Sequence, residues 1–239
     1  MTGVLRELFF VFLAGIGVTT LVGLLARNFP AVVNGIVSIA ASFLPRIVER
    51  SLMLETGTEM AFGPELPAWI AFAGFLHMLG MLGWYDTVRW WDHVTHTVSA
   101  ALVAALVYAG AHTYSHYALE SQLPNVYAAL FTVLFTLAVG VLWEFIELAA
   151  REFGEYIGKP PVLEYYGLRD TVLDTLFNGI GALVVVAFDI RVFVPVTDQL
   201  PRLVGRIVFW GTVLVFAGTL ALGVLLERFA SISRNPGRP

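Results

Sequence analysis

Long runs of apolar side chains, each stopped by a charge, a proline or a glycine, divide the chain into segments of membrane-crossing length. The first extends from Leu8 to Leu25 between Arg6 and Arg27. At a rise of about 1.5 Å per residue, some 20 apolar residues cross a hydrocarbon core about 30 Å thick. The run is long for the apolar part of a secretory leader, and no small-x-small cleavage site follows before Asn28-Phe29-Pro30, so it reads as a retained span. Further runs cover Leu66 to Trp84, Val94 to Ala111, Val126 to Leu148, Thr171 to Phe188 and Ile207 to Leu226. A shorter one, Ala31 to Leu44, contains Asn34 and several serines and meets Pro45. It is an interfacial or re-entrant helix if the proline ends it, and a span if the helix continues with Arg46 snorkelling to the interface. The pattern predicts an all-α, polytopic transmembrane helical bundle of six or seven spans. It forms one domain over residues 1–230, followed by a short disordered tail over 231–239.

Composition agrees with that pattern and narrows the partners. With 58% hydrophobic and 13% charged residues and a mean hydropathy of +0.78, the chain has the lipid bilayer as its solvent. The net charge of -4 is spread through short connectors without a basic arm or stripe, which argues against nucleic acid as a partner. Cysteine is absent, so a metal ion would have to be held by histidine, carboxylate, carbonyl or water.

The polar residues inside the apolar runs are therefore the informative ones. A charged group at the centre of a span costs roughly 2.5 to 3.5 kcal/mol and by default marks a functional site. The fifth run carries Trp143-Glu144-Phe145-Ile146-Glu147, with the two acids on one face. The sixth opens with Gly167-Leu168-Arg169-Asp170 and continues through Asp174 to Asn178. At 3.6 residues per turn, Asp170, Asp174 and Asn178 form one stripe about 12 Å long. The fourth run begins Trp90-Trp91-Asp92-His93-Val94-Thr95-His96, with Asp92 and His96 one turn apart. The connectors after Leu66 to Trp84 and after Val126 to Leu148 lie on the same side of the membrane whether or not Ala31 to Leu44 spans. All seven residues, Asp92, His96, Glu144, Glu147, Asp170, Asp174 and Asn178, thus share one leaflet.

With seven spans, that side holds Arg27, Arg89, Arg151, Lys159, Arg169, Arg228, Arg234 and Arg238, eight basic residues against six (Arg6, Arg46, Arg50, Arg191, Arg202 and Arg206). With six spans Arg6 replaces Arg27 and the balance is the same. The positive-inside rule places this side and the C-terminus in the cytoplasm.

Simpler roles stand beside the functional ones. Asp92 and Asp170 suit helix N-termini as caps. Glu144 and Glu147, expected at a helix C-terminus, need a cation, and Arg151 is four residues beyond Glu147. His77 reads as a buried hydrogen-bonding residue, Tyr114, His116, Tyr117 and Tyr127 as an aromatic belt at the opposite interface, and Gly179 and Gly181 as close-packing positions.

The Trp-Trp-Asp-x-x-x-His opening, the Trp-Glu-x-x-Glu segment and the Gly-Leu-x-Asp-Thr-x-x-Asp-x-x-x-Asn-x-x-Gly-Ala-Leu run resemble the YjdF-like family of uncharacterised membrane proteins. More distantly they are similar to VanZ-like proteins. The resemblance covers Trp84 to Leu183 and implies that the seven polar residues are the family's signature positions; it implies no reaction, and it leaves His93, the first two spans and the last span aside.

Five carboxylates in a partly desolvated place cannot all stay charged unless something balances them. Arg89, Arg151 and Arg169 could do so as an ion-pair network, a divalent metal could bind, or some acids could hold protons. His96, Asp92, Glu144, Glu147, Asp170 and Asp174 are the candidate metal ligands, with Asp174, Glu144 and Glu147 the candidate catalytic groups and Asn178 a further polar member. No His-Glu-x-x-His helix, Gly-x-Ser-x-Gly turn or phosphate-binding glycine loop is present. The favoured reading is a metal-dependent enzyme acting on a lipid or lipid-linked headgroup, with the lipid bilayer and a lipid or small-molecule ligand as its partners. A proton- or ion-coupled transporter is the alternative, followed by a non-catalytic scaffold. Single cysteines introduced at Ser231 and at Gly158 are expected to react with a membrane-impermeant maleimide from the same face. Labelling from opposite faces would separate the polar blocks.

Overall fold

The computed structural model describes residues 2–57, 60–118 and 125–234. These form α1 (Thr2–Leu25), α2 (Phe29–Thr56), α3 (Glu65–Leu79), a π-helical turn (Gly80–Trp84), α4 (Tyr85–Thr87), α5 (Trp91–Ala118), α6 (Asn125–Ile157), α7 (Leu168–Ala187), α8 (Val194–Thr197) and α9 (Pro201–Arg234). Among the described residues seven helices are long and apolar enough to cross a membrane. The protein is an all-α, multi-pass membrane protein.

The second helix settles the ambiguity at Pro45. Asn28 caps α2 by accepting from the Ala31 amide at 3.1 Å, Pro30 occupies its first turn, and the helix continues through Pro45 to Thr56. The re-entrant alternative is thereby corrected. Membrane helices tolerate an internal proline because neighbouring groups absorb the lost backbone bond. Beyond it, Arg46 pairs with Glu49 at 3.6 Å, and Glu49 also accepts from the Phe62 amide at 2.7 Å, so this pair of charges past the apolar run is satisfied locally.

Helix α6 also outlasts its apolar run. It reaches Ile157, nine residues past Leu148, with Arg151 bonded to Glu155 one turn on at 3.0 Å. Glu144 and Glu147 therefore lie well inside the helix and not at its C-terminus. At the other end of the chain α9 runs to Arg234, and the rest of the expected tail, 235–239, lies outside the described residues.

Two groups of three helices make the bundle. Helices α1, α2 and α3 pack on one another; α5, α6 and α7 form the second group, and α9 lies along α5 and α6. The π turn joins the groups, a form of helix irregularity frequent at functional sites. Gly80 makes room there for the Tyr85 ring, and Gly83 takes φ 109°. The closest seam is α5 against α7, lined by Ala104, Ala105, Ala182 and Val185, all 0% exposed. A Cβ on Gly181 would run into the Thr97 carbonyl oxygen and sit 3.0 Å from the Ala101 nitrogen, whereas one on Gly179 would meet only Leu137 at an ordinary 3.5 Å. Small residues are how membrane helices approach this closely.

Gly181→Ala is expected to lower stability by about 1 to 3 kcal/mol, the usual range for overpacking against a neighbour that cannot move aside. Thermal unfolding in detergent should show Gly179→Ala close to wild type. For labelling the α6–α7 connector, Gly158 has φ 65°, so the exposed neighbouring Lys159 carries a cysteine without backbone strain.

Candidate functional site

Asp174 sits a full turn inside α7 and its side chain is 2% exposed. Its Oδ1 has no hydrogen-bond partner. Around it, two helix turns of α5 present His93, whose Nδ1 is 3.7 Å away, and His96, whose Nε2 is 4.0 Å away. His96 Nε2 is also 3.6 Å from Asp92 Oδ1. One donor atom each from Asp92, His96 and Asp174 fits within 4.8 Å.

The other side of His96 is held. Its Nδ1 lies 3.3 Å from the Asn178 Oδ1; with Nδ1–H donating to that carbonyl, Nε2 keeps its lone pair for the space between the two aspartates. This is the arrangement by which a metal-binding histidine is oriented, its second nitrogen donating to a fixed acceptor. Asn178 has its room from Gly140 of α6, where a Cβ would come within 2.6 Å of the Asn178 amide nitrogen. Thr95 donates to the Asp92 carbonyl oxygen at 2.8 Å and approaches the Asp92 carboxylate at 3.4 Å.

Glu144 of α6 is 2% exposed, and its Oε1 is a further buried atom without a partner. The Thr171 hydroxyl lies toward it but short of hydrogen-bond geometry, and Asp170, Asp92 and Asp174 are near enough to Glu144 to interact with it electrostatically. Three helices thus aim unpaired polar atoms into one region: His93 Nδ1, Glu144 Oε1, Thr171 Oγ1 and Asp174 Oδ1. Buried polar atoms are nearly always paired, so a concentration of unpaired ones points to a ligand or ordered water that completes them. The three-donor set suits zinc, manganese or iron. For ligands about 2.1 Å from an ion, tetrahedral neighbours lie about 3.4 Å apart. The 3.6 and 4.0 Å separations around His96 Nε2 would have to close by about 0.2 and 0.6 Å, and the whole set, spread within 4.8 Å, would have to draw together around the ion.

Not every expected residue joins. Glu147 accepts from the Trp143 indole at 2.6 Å on its own helix. Its expected partner Arg151 turns instead to Glu155 and lies over the Tyr165 ring, 5.8 Å from its centre. Glu144, Glu147 and Asp170 lie outside the three-donor set. Asp92 and Asp170 fall within first helical turns and do not occupy cap positions, since α5 starts at Trp91 and Gly167 is the cap of α7. Among the described residues no arginine is in ion-pair contact with any of the five acids, so the network of Arg89, Arg151 and Arg169, one of the three ways of balancing them, is not formed.

His93 was not among the expected site residues. The signal for it is its spacing of three from His96, which puts both imidazoles on one side of α5. A second polar chain abuts the site through the π turn. His77 Nδ1 is 2.7 Å from the Tyr85 hydroxyl and its Nε2 3.1 Å from Asn34 Oδ1, while Asn34 donates to the Val162 carbonyl at 2.5 Å. The Thr95 hydroxyl lies beside the same Tyr85 hydroxyl. The connector between α6 and α7 is therefore tied to α2 and α3 beside the polar cluster. In that connector Tyr166 donates to Asp86 at 3.4 Å. Burial, with Asp86 nearby, holds the Glu164 carboxyl above the ordinary carboxylate range.

Fold and site together define a multi-pass α-helical membrane protein with a buried histidine–carboxylate cluster at one end of its bundle. The chain belongs to the family described as predicted membrane protein (DUF2238), whose model matches residues 8–195. That match reaches from α1 into α8, well beyond Trp84 to Leu183, and stops short of α9. No curated protein and no solved structure matches the chain.

Gly140→Ala should push the Asn178 amide away from His96 and cost about 1 to 3 kcal/mol. The same substitution combined with Asn178→Ala should cost much less than the sum of the two, because the clash is with that side chain. Additive losses in a double-mutant unfolding experiment would show that Gly140 does not act through Asn178.

Proposed function

We propose that the protein is a metal-dependent enzyme acting on a lipid or lipid-linked headgroup, with its site in the cytoplasmic leaflet. The observation that carries this reading is the convergence of Asp92, His96 and Asp174 donor atoms within 4.8 Å, around an Asp174 oxygen that is buried and unpaired. A divalent ion held there would supply Lewis-acid polarisation of a headgroup oxygen. The chain's own residues supply the rest. Asn178 and Gly140 orient His96, the two aspartates balance the ion's charge, and Glu144, buried with a free oxygen, is placed to take up a proton. Glu147, occupied by Trp143, is the weaker candidate for that role. Asp170 sits in the outer turn of α7 and contributes charge.

The coupled-transporter reading shares the same residues and is less well supported. A polar group at the other end of the α5–α7 seam, where Tyr108 donates to Asp189 at 2.8 Å, is separated from the site by Gly181, Ala104, Ala105, Ala182 and Val185. That packing favours a site reached from one side. The resemblance to YjdF-like proteins is compatible with the family shown; the one to VanZ-like proteins finds no support among the comparisons.

Elemental analysis of purified protein tests the proposal. Wild type should carry about one divalent ion per chain and Asp174→Asn none. Asp92→Asn should lose less, being nearer the helix end. Asn178→Ala should weaken affinity roughly 10- to 100-fold, as losing the acceptor that orients a metal-binding histidine does. Wild-type protein that carries no metal, and binds none when zinc, manganese or iron is added, would defeat the reading. If Asp174→Asn then also folds normally and abolishes a proton-coupled flux, the site is a proton site.

A further inference from the structure

Beside the polar cluster, on the outer side of α5 and α7, lies a groove of about 220 Å³ lined by Trp90, His93, Val94, Thr97, Val98 and Phe177. Its lining surface is almost wholly carbon, and Thr97 spends its hydroxyl on the His93 carbonyl at 2.7 Å. His93 stacks flat on Phe177, ring centres 4.2 Å apart and planes 7° from parallel. The same imidazole therefore forms the wall of the groove and, through a buried Nδ1 3.7 Å from Asp174, the edge of the polar cluster.

We infer that this groove seats a hydrocarbon chain of a bilayer lipid, whose headgroup lies at the Asp92, His96 and Asp174 cluster. The inference rests on the headgroup reading proposed above and adds how the substrate enters. Three observations support it. The groove is open to the outside, and its Phe177 wall belongs to α7, a helix whose outer face carries Val172, Leu176 and Leu183, all more than half exposed, so hydrocarbon is what surrounds it. Pockets that enclose a whole drug-sized ligand measure roughly 300 to 1,000 Å³, so this one takes a length of chain and leaves the remainder in the bilayer. An apolar chain beside a polar cluster, with one side chain between them, matches the amphipathic shape of a lipid and no wholly water-soluble molecule. Lateral entry from the leaflet follows, with the α6–α7 connector over the headgroup end.

The test uses full-length protein in nanodiscs of phosphatidylcholine containing a small fraction of the same lipid with a diazirine in mid-chain. After irradiation, cross-links mapped by mass spectrometry should concentrate on residues 90–98 and Phe177, several-fold above those on Leu214 and Phe216 of α9, although both are more than half exposed. Val98→Trp, which fills the groove, should remove that enrichment; Val94→Trp serves if Val98→Trp does not fold. Cross-links spread evenly over α1, α7 and α9, or enrichment that survives both substitutions, would overturn the inference. Metal content of the Val98→Trp protein, measured in parallel, separates the two ideas. Retained metal with unenriched wild-type cross-linking defeats the groove alone, while enrichment in a protein that binds no metal defeats the enzyme reading alone.

Discussion

A carboxylate withdrawn from bulk water must be answered by the protein or by something the protein holds. Asp174 is that group here, and much of the surrounding architecture serves the space in front of it. Stripe spacing on α7 brings Asp174 and Asn178 inward together, so the helix that carries the acid also carries the residue that aims His96 at it. Gly140 gives Asn178 its room from α6. The first turns of α5 supply Asp92, His93 and His96 from the third helix. Removing water from such a place strengthens every remaining electrostatic interaction, which makes the unpaired oxygens of Asp174 and Glu144 costly to keep and therefore informative.

The same constraint accounts for the packing below the site. A polar cluster in a membrane is tolerable only if the helices carrying it shut lipid and water out of the layer beneath. Gly181 lets α7 lie against the α5 backbone, and the alanines above and below it close the seam. The tight seam also keeps α5 from turning about its axis, which holds both histidines in register with Asp174. Across the bundle the π turn performs a similar service: it swings Tyr85 back onto His77 and sets Trp84 against Trp91, their ring centres 4.5 Å apart, just where α5 begins.

How much of this could be read from the residues alone follows from which physical rules are local. Apolar length identifies spans, so the helices were legible; the exception, α2, turned on whether Pro45 ends a helix, which depends on neighbours and not on the proline. The shared leaflet followed from the parity of crossings. Pairing did not, because helix rotation is a property of packing. The spacing of Glu144 and Glu147 on one face suggested that they act together, yet a nearby indole took Glu147 and left Glu144 unpaired. Arg151 could reach either Glu147 or Glu155 at the same spacing of four, and only the extra turns of α6 past the apolar run decided between them. His93 was hidden for a related reason: next to two better-placed signals, a lone histidine on an apolar face resembles ordinary packing.

The last helix has a different standing from the other six spans. The family match ends before α9 begins, and the part of α9 that would cross the membrane contributes no buried residue, although it touches α5 and α6 through Gly110, Leu142 and Phe145. A helix added at the rim adds one crossing and nothing to the cluster. Membership of the site and sidedness of the C-terminus are therefore separable traits. A relative that ended after α8 could keep the whole cluster while displaying its C-terminus on the opposite side of the membrane, to a different set of soluble neighbours.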